Sequence, residues 1–246
     1  MTKDWFKEWF NTTYYHTLYK NRDEDEAMQF IDNLCTHLKI EADSKILDLA
    51  CGKGRHAMHL AKKGFRTTGV DLAEQSIFKA KENSIPKVQF AVHDMRKVFK
   101  KNEFNFVFNL FTSFGYFKNL DENIDVLNGV AKNLKKDGLF VLDFLNAHKV
   151  IANLVPSEQK EIDGIQFKIK RNYDGKSIVK DIFVKDQDRE FTFQERVSAF
   201  NLKDMNRMAE SVGLEIIQTF GNYKLNPFKE KRSDRLILVM KLRDYN

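Results

Sequence analysis

Three aspartates and two glycines carry the first chemical signal in this 246-residue chain. The short apolar run Ile46-Leu-Asp-Leu-Ala50 ends in Cys51-Gly-Lys-Gly54. Glycines at 52 and 54 let the backbone turn sharply and come close to a ligand, with the next helix N-terminus aimed at it. Asp48 lies four residues before Gly52, beside the place such a ligand takes. A carboxylate there repels a pyrophosphate and attracts a ligand bearing an ammonium and a sulfonium. Asp71 ends the next expected strand, nineteen residues after Gly52, where a carboxylate accepts both hydroxyls of a ribose. Asp94, in His93-Asp94-Met95-Arg96, ends the third run and is placed to accept from an adenine amino group while Met95 packs on the ring. One aspartate at a strand end is most often a helix N-cap. Three at successive strand ends, behind a glycine loop, describe a cradle for a cationic nucleoside. The bare pattern Gly52-x-Gly54-x-x-Ala57 also satisfies a dinucleotide fingerprint. With Asp71 it keeps a nicotinamide-dependent oxidoreductase open as an alternative, against which Asp48 counts.

The elements that must position these residues follow from periodicity. Aromatics at 5, 6, 9, 10, 14, 15 and 19 predict a helix with an apolar side. Its Tyr14, Tyr15 and Tyr19, with Arg22, could close over a ligand as a lid. A second helix is expected from about Asp25 to Leu38, behind the acidic start Asp23-Glu24-Asp25-Glu26. Strands are expected at 45–50, 66–70, 88–92, 105–110 and 139–145. Helical spacing falls at 55–63, 72–83 and 121–134, and Lys136-Asp137-Gly138 reads as a turn into the fifth strand. This alternation predicts a parallel sheet wound by right-handed crossovers. It stops at residues 158–200, where Ile165–Tyr173 alternates apolar and polar, Asp174-Gly175 signals a hairpin, and Ser177–Val184 continues the pattern. A helix at 202–212 leads to strands at 214–220 and 235–240, whose short connection requires antiparallel pairing.

Asp48-Leu-Ala-Cys-Gly-Lys-Gly54 resembles motif I of the class I S-adenosylmethionine-dependent methyltransferases. Val70-Asp71-Leu-Ala is similar to their ribose-binding loop and Asp94-Met95 to their adenine-contacting pair. Asn109-Leu-Phe-Thr-Ser-Phe-Gly-Tyr-Phe117 stands where their fourth motif faces the methyl group, and Leu134–Asp143 resembles their turn into strand five. The resemblance covers residues 25–150 and 196–242. It implies a Rossmann-like α/β fold: a seven-stranded, mostly parallel sheet with an antiparallel last strand and helices on both faces. Residues 151–195 resemble the β-rich insert of some small-molecule members, which implies one domain, 1–150 with 196–246, and an inserted antiparallel subdomain. It also implies S-adenosylmethionine as the cofactor, held by Asp48, Ala50, Cys51, Gly52, Gly54, Arg55, Asp71, Leu72, Asp94, Met95 and Asn109. Methyl transfer from a sulfonium is an in-line displacement with a neutral leaving group and needs no metal, so positioning in a dry site supplies much of the acceleration. An acceptor that must lose a proton needs a base, and the candidates are Tyr116, His148 and Tyr15. The fourth motif lacks the Asp/Asn-Pro-Pro-Tyr form used on base amines and glutamine amides, and a Pro-Cys nucleophile for cytosine-C5 chemistry is absent from the sequence.

Composition sets the outer bounds. Hydrophobic residues at 42% and charged ones at 31% suit a globular domain. No apolar stretch is long enough to span a membrane. Cys35 and Cys51 cannot build a disulfide framework, and no Cys/His cluster has metal-ligand spacing. The expectation is a cytoplasmic protein acting on a small-molecule acceptor. A formal charge of +6 keeps RNA as an alternative acceptor, but the basic residues are scattered among acids, as a solvated surface requires.

Overall fold

The computed structural model describes residues 5–20 and 24–244. The first helical expectation divides in two: α1 (Trp5–Phe10) and α2 (Thr13–Leu18). Thr12 makes the break, because its hydroxyl oxygen accepts from the Tyr15 backbone N–H and caps α2. Aromatic spacing runs across this break undisturbed, which is why periodicity alone reads it as continuous. α3 (Glu24–His37) follows; Arg22 and Asp23 lie outside the described residues.

From there strands and helices alternate. β1 (Lys45–Leu49), α4 (Arg55–Lys62), β2 (Arg66–Asp71), α5 (Glu74–Glu82), β3 (Val88–Val92), β4 (Phe104–Asn109), α6 (Leu120–Asn133) and β5 (Leu134–Leu145) come in turn. The expected turn at Lys136–Gly138 is instead a bulge inside β5, where the register with β4 jumps between Phe104 and Phe106. A short helix not seen in the pattern, α7 (Ala147–Ala152), leads to the second sheet of β6 (Ser157–Ile162), β7 (Ile165–Tyr173), β8 (Ser177–Asp186) and β9 (Arg189–Ser198). β9 runs three residues past the expected boundary at 195. α8 (Leu202–Ser211), β10 (Leu214–Phe220) and β11 (Arg235–Leu242) complete the chain.

The large sheet has the order β10-β11-β5-β4-β1-β2-β3. β1 pairs in parallel with both β2 and β4, and β11 is antiparallel to both β5 and β10. Successive residues feed opposite layers. Leu47, Val107 and Phe140 pack with α6 and α8, whereas Ile46, Phe108 and Val141 pack with α3 and α4. A sheet buried on both faces needs such continuous apolar strands. Strand order reverses between β1 and β4, and the crevice at that switch point, beyond the carboxyl ends, is where open α/β sheets bind ligands.

The second sheet, β6-β7-β8-β9, is wholly antiparallel. Phe167, Ile169, Ile182 and Val184 of its inner face share a core with Phe6 and Trp9 of α1. No helix among the described residues is long and apolar enough to cross a membrane.

Gly54 shows how tightly the first crossover is built. It stands before α4 with φ 78°, and a Cβ there would lie 2.4 Å from the Phe90 ring. Close packing of α4 and α5 on the sheet requires glycine at this position, which is not among the residues lining the cavity described below. Gly54→Ala should therefore cost roughly 2–4 kcal/mol, the range of a clash combined with a disfavoured φ. Urea unfolding of the two proteins measures it, and equal midpoints would contradict the packing argument.

Candidate active site

Loops after β1, β2, β3 and β4 surround a cavity of about 450 Å³, roofed by α1 and α2. That volume suits a small ligand with its partner, since such pockets run from about 300 to 1,000 Å³. Asp48 forms the floor. It is 3% exposed, and its Oδ2 has no hydrogen-bond partner among the described residues. Burial and the neighbouring Asp71 carboxylate push its pKa up to about 7, against one stabilising backbone N–H from Ala57. An orphaned buried oxygen facing a cavity is a demand for a donor, and an ammonium answers it best.

Asp71 ends β2 and is tied from behind. Its Oδ2 accepts from the Gly52 N–H and its Oδ1 from the Ala73 N–H, both at 2.8 Å. Burial raises its pKa despite these bonds. Each oxygen keeps a second lone pair, so the carboxylate can still accept from a vicinal diol. Gly52 has φ 56°, and nothing lies within 4 Å of where a Cβ would stand. The loop is open on the ligand's side, and with Asp48 and Asp71 it fits a cationic adenosyl group.

The remaining expected binding residues divide. Ala50, Cys51, Arg55, Leu72, Asp94 and Met95 all line the cavity. Cys51 does so as an inert thiol: burial and the two carboxylates hold its pKa well up. Asp94 is gripped by Arg96, whose Nε lies 3.0 Å from Oδ1 and whose Nη2 lies 2.6 Å from Oδ2. Burial raises this carboxyl, but the guanidinium outweighs it and keeps the group ionised below the usual range. Arg96 also reaches Glu122 of α6 and lies over the Phe117 ring. Asn109 is not on the cavity wall. It is fully buried, and its Nδ2 donates to the Leu49 carbonyl at 2.8 Å, pinning β4 to β1 below the crevice.

Of the three proposed bases, Tyr15 and Tyr116 line the cavity and His148 does not. The reason is helical geometry. α7 buries Ala147, and one residue, about 100° further round, turns His148 to solvent. Tyr116 donates its hydroxyl to the Thr112 carbonyl.

Several features of the cavity and its support escaped the sequence reading. His16 lies in the roof, where burial first and then Lys53 and Lys79 push its pKa down to about 4, leaving the imidazole neutral. Phe111 and Thr112, just after β4, hold φ 58° and 60°. Each such left-handed non-glycine residue costs about 1–3 kcal/mol and persists only where its surroundings over-determine it. The Phe111 ring stacks on His56 at 4.5 Å. The roof is fastened to the second sheet: Glu195 of β9 accepts from Trp9 Nε1 at 2.8 Å and from the Tyr19 hydroxyl at 2.7 Å, and pairs with Lys180 of β8 at 2.8 Å. Burial works to raise the Glu195 carboxyl, but Lys180 and these donors hold it below its usual range. Nothing local in sequence signals contacts that span more than 170 residues.

Comparison with known proteins agrees with this geometry. Residues 46–138 match a family model described as a methyltransferase domain. The fold matches that of an S-adenosylmethionine-dependent methyltransferase from Clostridium acetobutylicum, with TM-score 0.78, 20% identity, and 94% and 96% of the two chains covered. The methyltransferase fold is also shared with the sugar N-methyltransferase KedS8 from Streptoalloteichus, at TM-score 0.71, 18% identity, and 94% and 93% coverage. In sequence, the chain is 30% identical over 131 residues to the dTDP-3-amino-3,4,6-trideoxy-alpha-D-glucopyranose N,N-dimethyltransferase of Streptomyces venezuelae, covering 52% of this chain and 54% of that one. The chain spans about half the length of the curated relatives it matches.

Asp48 makes the ligand-free protein pH-sensitive in a defined direction. Its folded pKa near 7 lies above the usual 3.8, so between these values the folded state binds more protons than the unfolded one. The resulting stability is complete below pH 4 and is lost as pH rises through 7. His16, lowered from 6.5 to about 4, acts oppositely, losing its contribution as pH falls through that window. Melting curves of the wild type and Asp48→Asn from pH 4 to 8 separate the two. The variant should lose the decline on the alkaline side and become the more stable form at pH 8. Parallel profiles would show that Asp48 is not buried in its charged form.

Proposed function

We propose that this protein transfers a methyl group from S-adenosylmethionine to a small-molecule amine. The observation that carries the reading is the unpartnered Asp48 oxygen beside Asp71 at the switch point between β1 and β4. A buried pair of carboxylates is costly without a cation, and the methionine ammonium and sulfonium supply that charge. The family match supports the chemistry. The relatives whose names describe action on amino sugars support an amine acceptor.

S-adenosylmethionine, when bound, supplies an electrophilic methyl group whose departure leaves a neutral thioether. The chain's own part is to bind, orient and exclude water. Asp48 receives the ammonium, Asp71 the ribose hydroxyls, and Met95 with Leu72 lies along the adenine. Asp94, already neutralised by Arg96, meets the adenine edge as a fixed acceptor rather than as a free charge. Arg55 opens α4 on the cavity wall and is the group for the methionine carboxylate. Phe6, Phe10 and Tyr15 cover the crevice from the roof, so the acceptor enters between them and the wall from Phe111 to Phe117. Tyr116 and Tyr15 are the hydroxyls in reach of its nucleophile. Neutral His16 adds a lone pair that survives down to mildly acidic pH. Two free, buried cysteines accord with a reducing, cytoplasmic setting.

Calorimetric titration with S-adenosylmethionine tests the cofactor half. Asp71→Ala should weaken binding by roughly 1.5–3 kcal/mol, the cost of losing hydrogen bonds to a charged group. Asp48→Asn should weaken it comparably while leaving the protein folded. Unchanged affinity in both would remove the carboxylates from the site and overturn the reading. Transfer of a labelled methyl group to a panel of amines, with none to matched alcohols, tests the acceptor half.

A further inference from the structure

The acceptor-side wall is held from behind by a group of residues that do not themselves line the cavity. Asp143, near the end of β5, is fully buried. Its Oδ2 accepts from the Phe111 N–H at 2.8 Å, and its backbone carbonyl accepts from the Thr112 N–H at 3.1 Å. Arg235, which opens β11, donates from Nε to Asp143 Oδ1 and from Nη2 to the Thr112 hydroxyl oxygen, both at 2.7 Å. The Tyr223 hydroxyl closes the group at 3.3 Å from Asp143 Oδ2. Three bonds thus converge on two consecutive residues whose φ values, 58° and 60°, non-glycine residues seldom adopt. Phe111 lines the cavity, as do the partners of the two residues, His56 and Tyr116. The Phe111 ring stacks on His56, and the Thr112 carbonyl receives the Tyr116 hydroxyl.

We infer that Asp143 and Arg235 are positioning residues for methyl transfer: their buried ion pair locks Phe111 and Thr112 in the left-handed turn that sets the Phe111 ring and the Tyr116 hydroxyl at the acceptor side of the cavity. The inference rests on the reading of the cavity as a methyl-transfer site. Antiparallel pairing places Arg235 directly opposite Leu145 at the mouth of β5, so the last strand of the fold reaches the turn behind the cavity wall through this side chain. The guanidinium is the group suited to the task, because its fork serves a carboxylate and a hydroxyl at once. A lysine can neutralise Asp143 but cannot hold both.

The test uses the full chain and two readouts. One is the proton spectrum of the His56 ring, which the stacked Phe111 shifts upfield. The other is calorimetric affinity for S-adenosylhomocysteine. In Arg235→Lys the His56 signals should move downfield and the affinity should fall about five- to tenfold, the scale of one lost hydrogen bond. Adding Thr112→Gly should restore both, because glycine adopts the left-handed turn without a clamp; Thr112→Gly alone should leave both near wild type. A pair that merely stabilised the core would show no such rescue. Thr112→Val, which removes only the oxygen that Arg235 reaches, should move His56 in the same direction by less, and it decides the matter if Arg235→Lys does not fold. Wild-type His56 signals in either single variant, or no recovery in the double variant, would overturn the proposal. A wild type that binds no S-adenosylhomocysteine would remove the methyltransferase reading, while the His56 arm would still decide whether the clamp exists.

Discussion

Negative charge held out of water governs this molecule. Asp48 and Asp71 stand side by side at the ends of adjacent strands, one nearly dry and short of a partner, the other bonded to the backbone on its far side. Two carboxylates in that setting repel each other and resist ionisation, so the ligand-free protein carries an electrostatic debt at its center. Much of the surrounding architecture makes the arrangement tolerable. The glycine loop donates an N–H to Asp71, Arg96 cancels Asp94, and the third acid therefore adds no further burden. Protonation of Asp48, or a cation beside it, relieves the remaining repulsion.

Around this floor the protein divides its labour between two sheets. The parallel strands present carboxylates, loops and the Phe111–Thr112 turn. The antiparallel sheet bears on the roof, and through the Ser198 N–H to Gly115 carbonyl bond at 2.8 Å it also touches the loop that follows β4. Wall and roof meet at the Phe10 ring, whose centroid lies 4.9 Å from that of Tyr15 and 5.5 Å from that of Tyr116, close enough to exclude water by packing alone.

Much of the floor was legible in the sequence because its signals are local. Asp48, Gly52 and Asp71 sit at fixed offsets from strand ends that apolar runs announce, and the fold class followed from the same alternation. Gly54 was legible as a glycine but not for its reason, since Phe90 is supplied by a strand more than thirty residues away. Asn109 and His148 misled for opposite reasons. The first has the right place in the motif but spends its amide on Leu49; the second follows the right strand but sits one helical step round from the buried face. Thr12 was hidden inside an uninterrupted aromatic rhythm. The clamp of Asp143 and Arg235 joins residues ninety-two apart, and the Glu195 anchorage spans still more. Contacts of that kind exist only once the strands are in register.

The Glu195 anchorage carries a consequence for how such a protein can change. Trp9 and Tyr19 hang from β9, not from the strands that hold the carboxylates. Substitutions on the antiparallel sheet can tilt or reshape the ceiling while the hydrogen bonds that hold Asp71 to the Gly52 and Ala73 backbone stay in place. The ceiling and the floor of the cavity are therefore anchored on different sheets, and a lineage can reshape one without rebuilding the other.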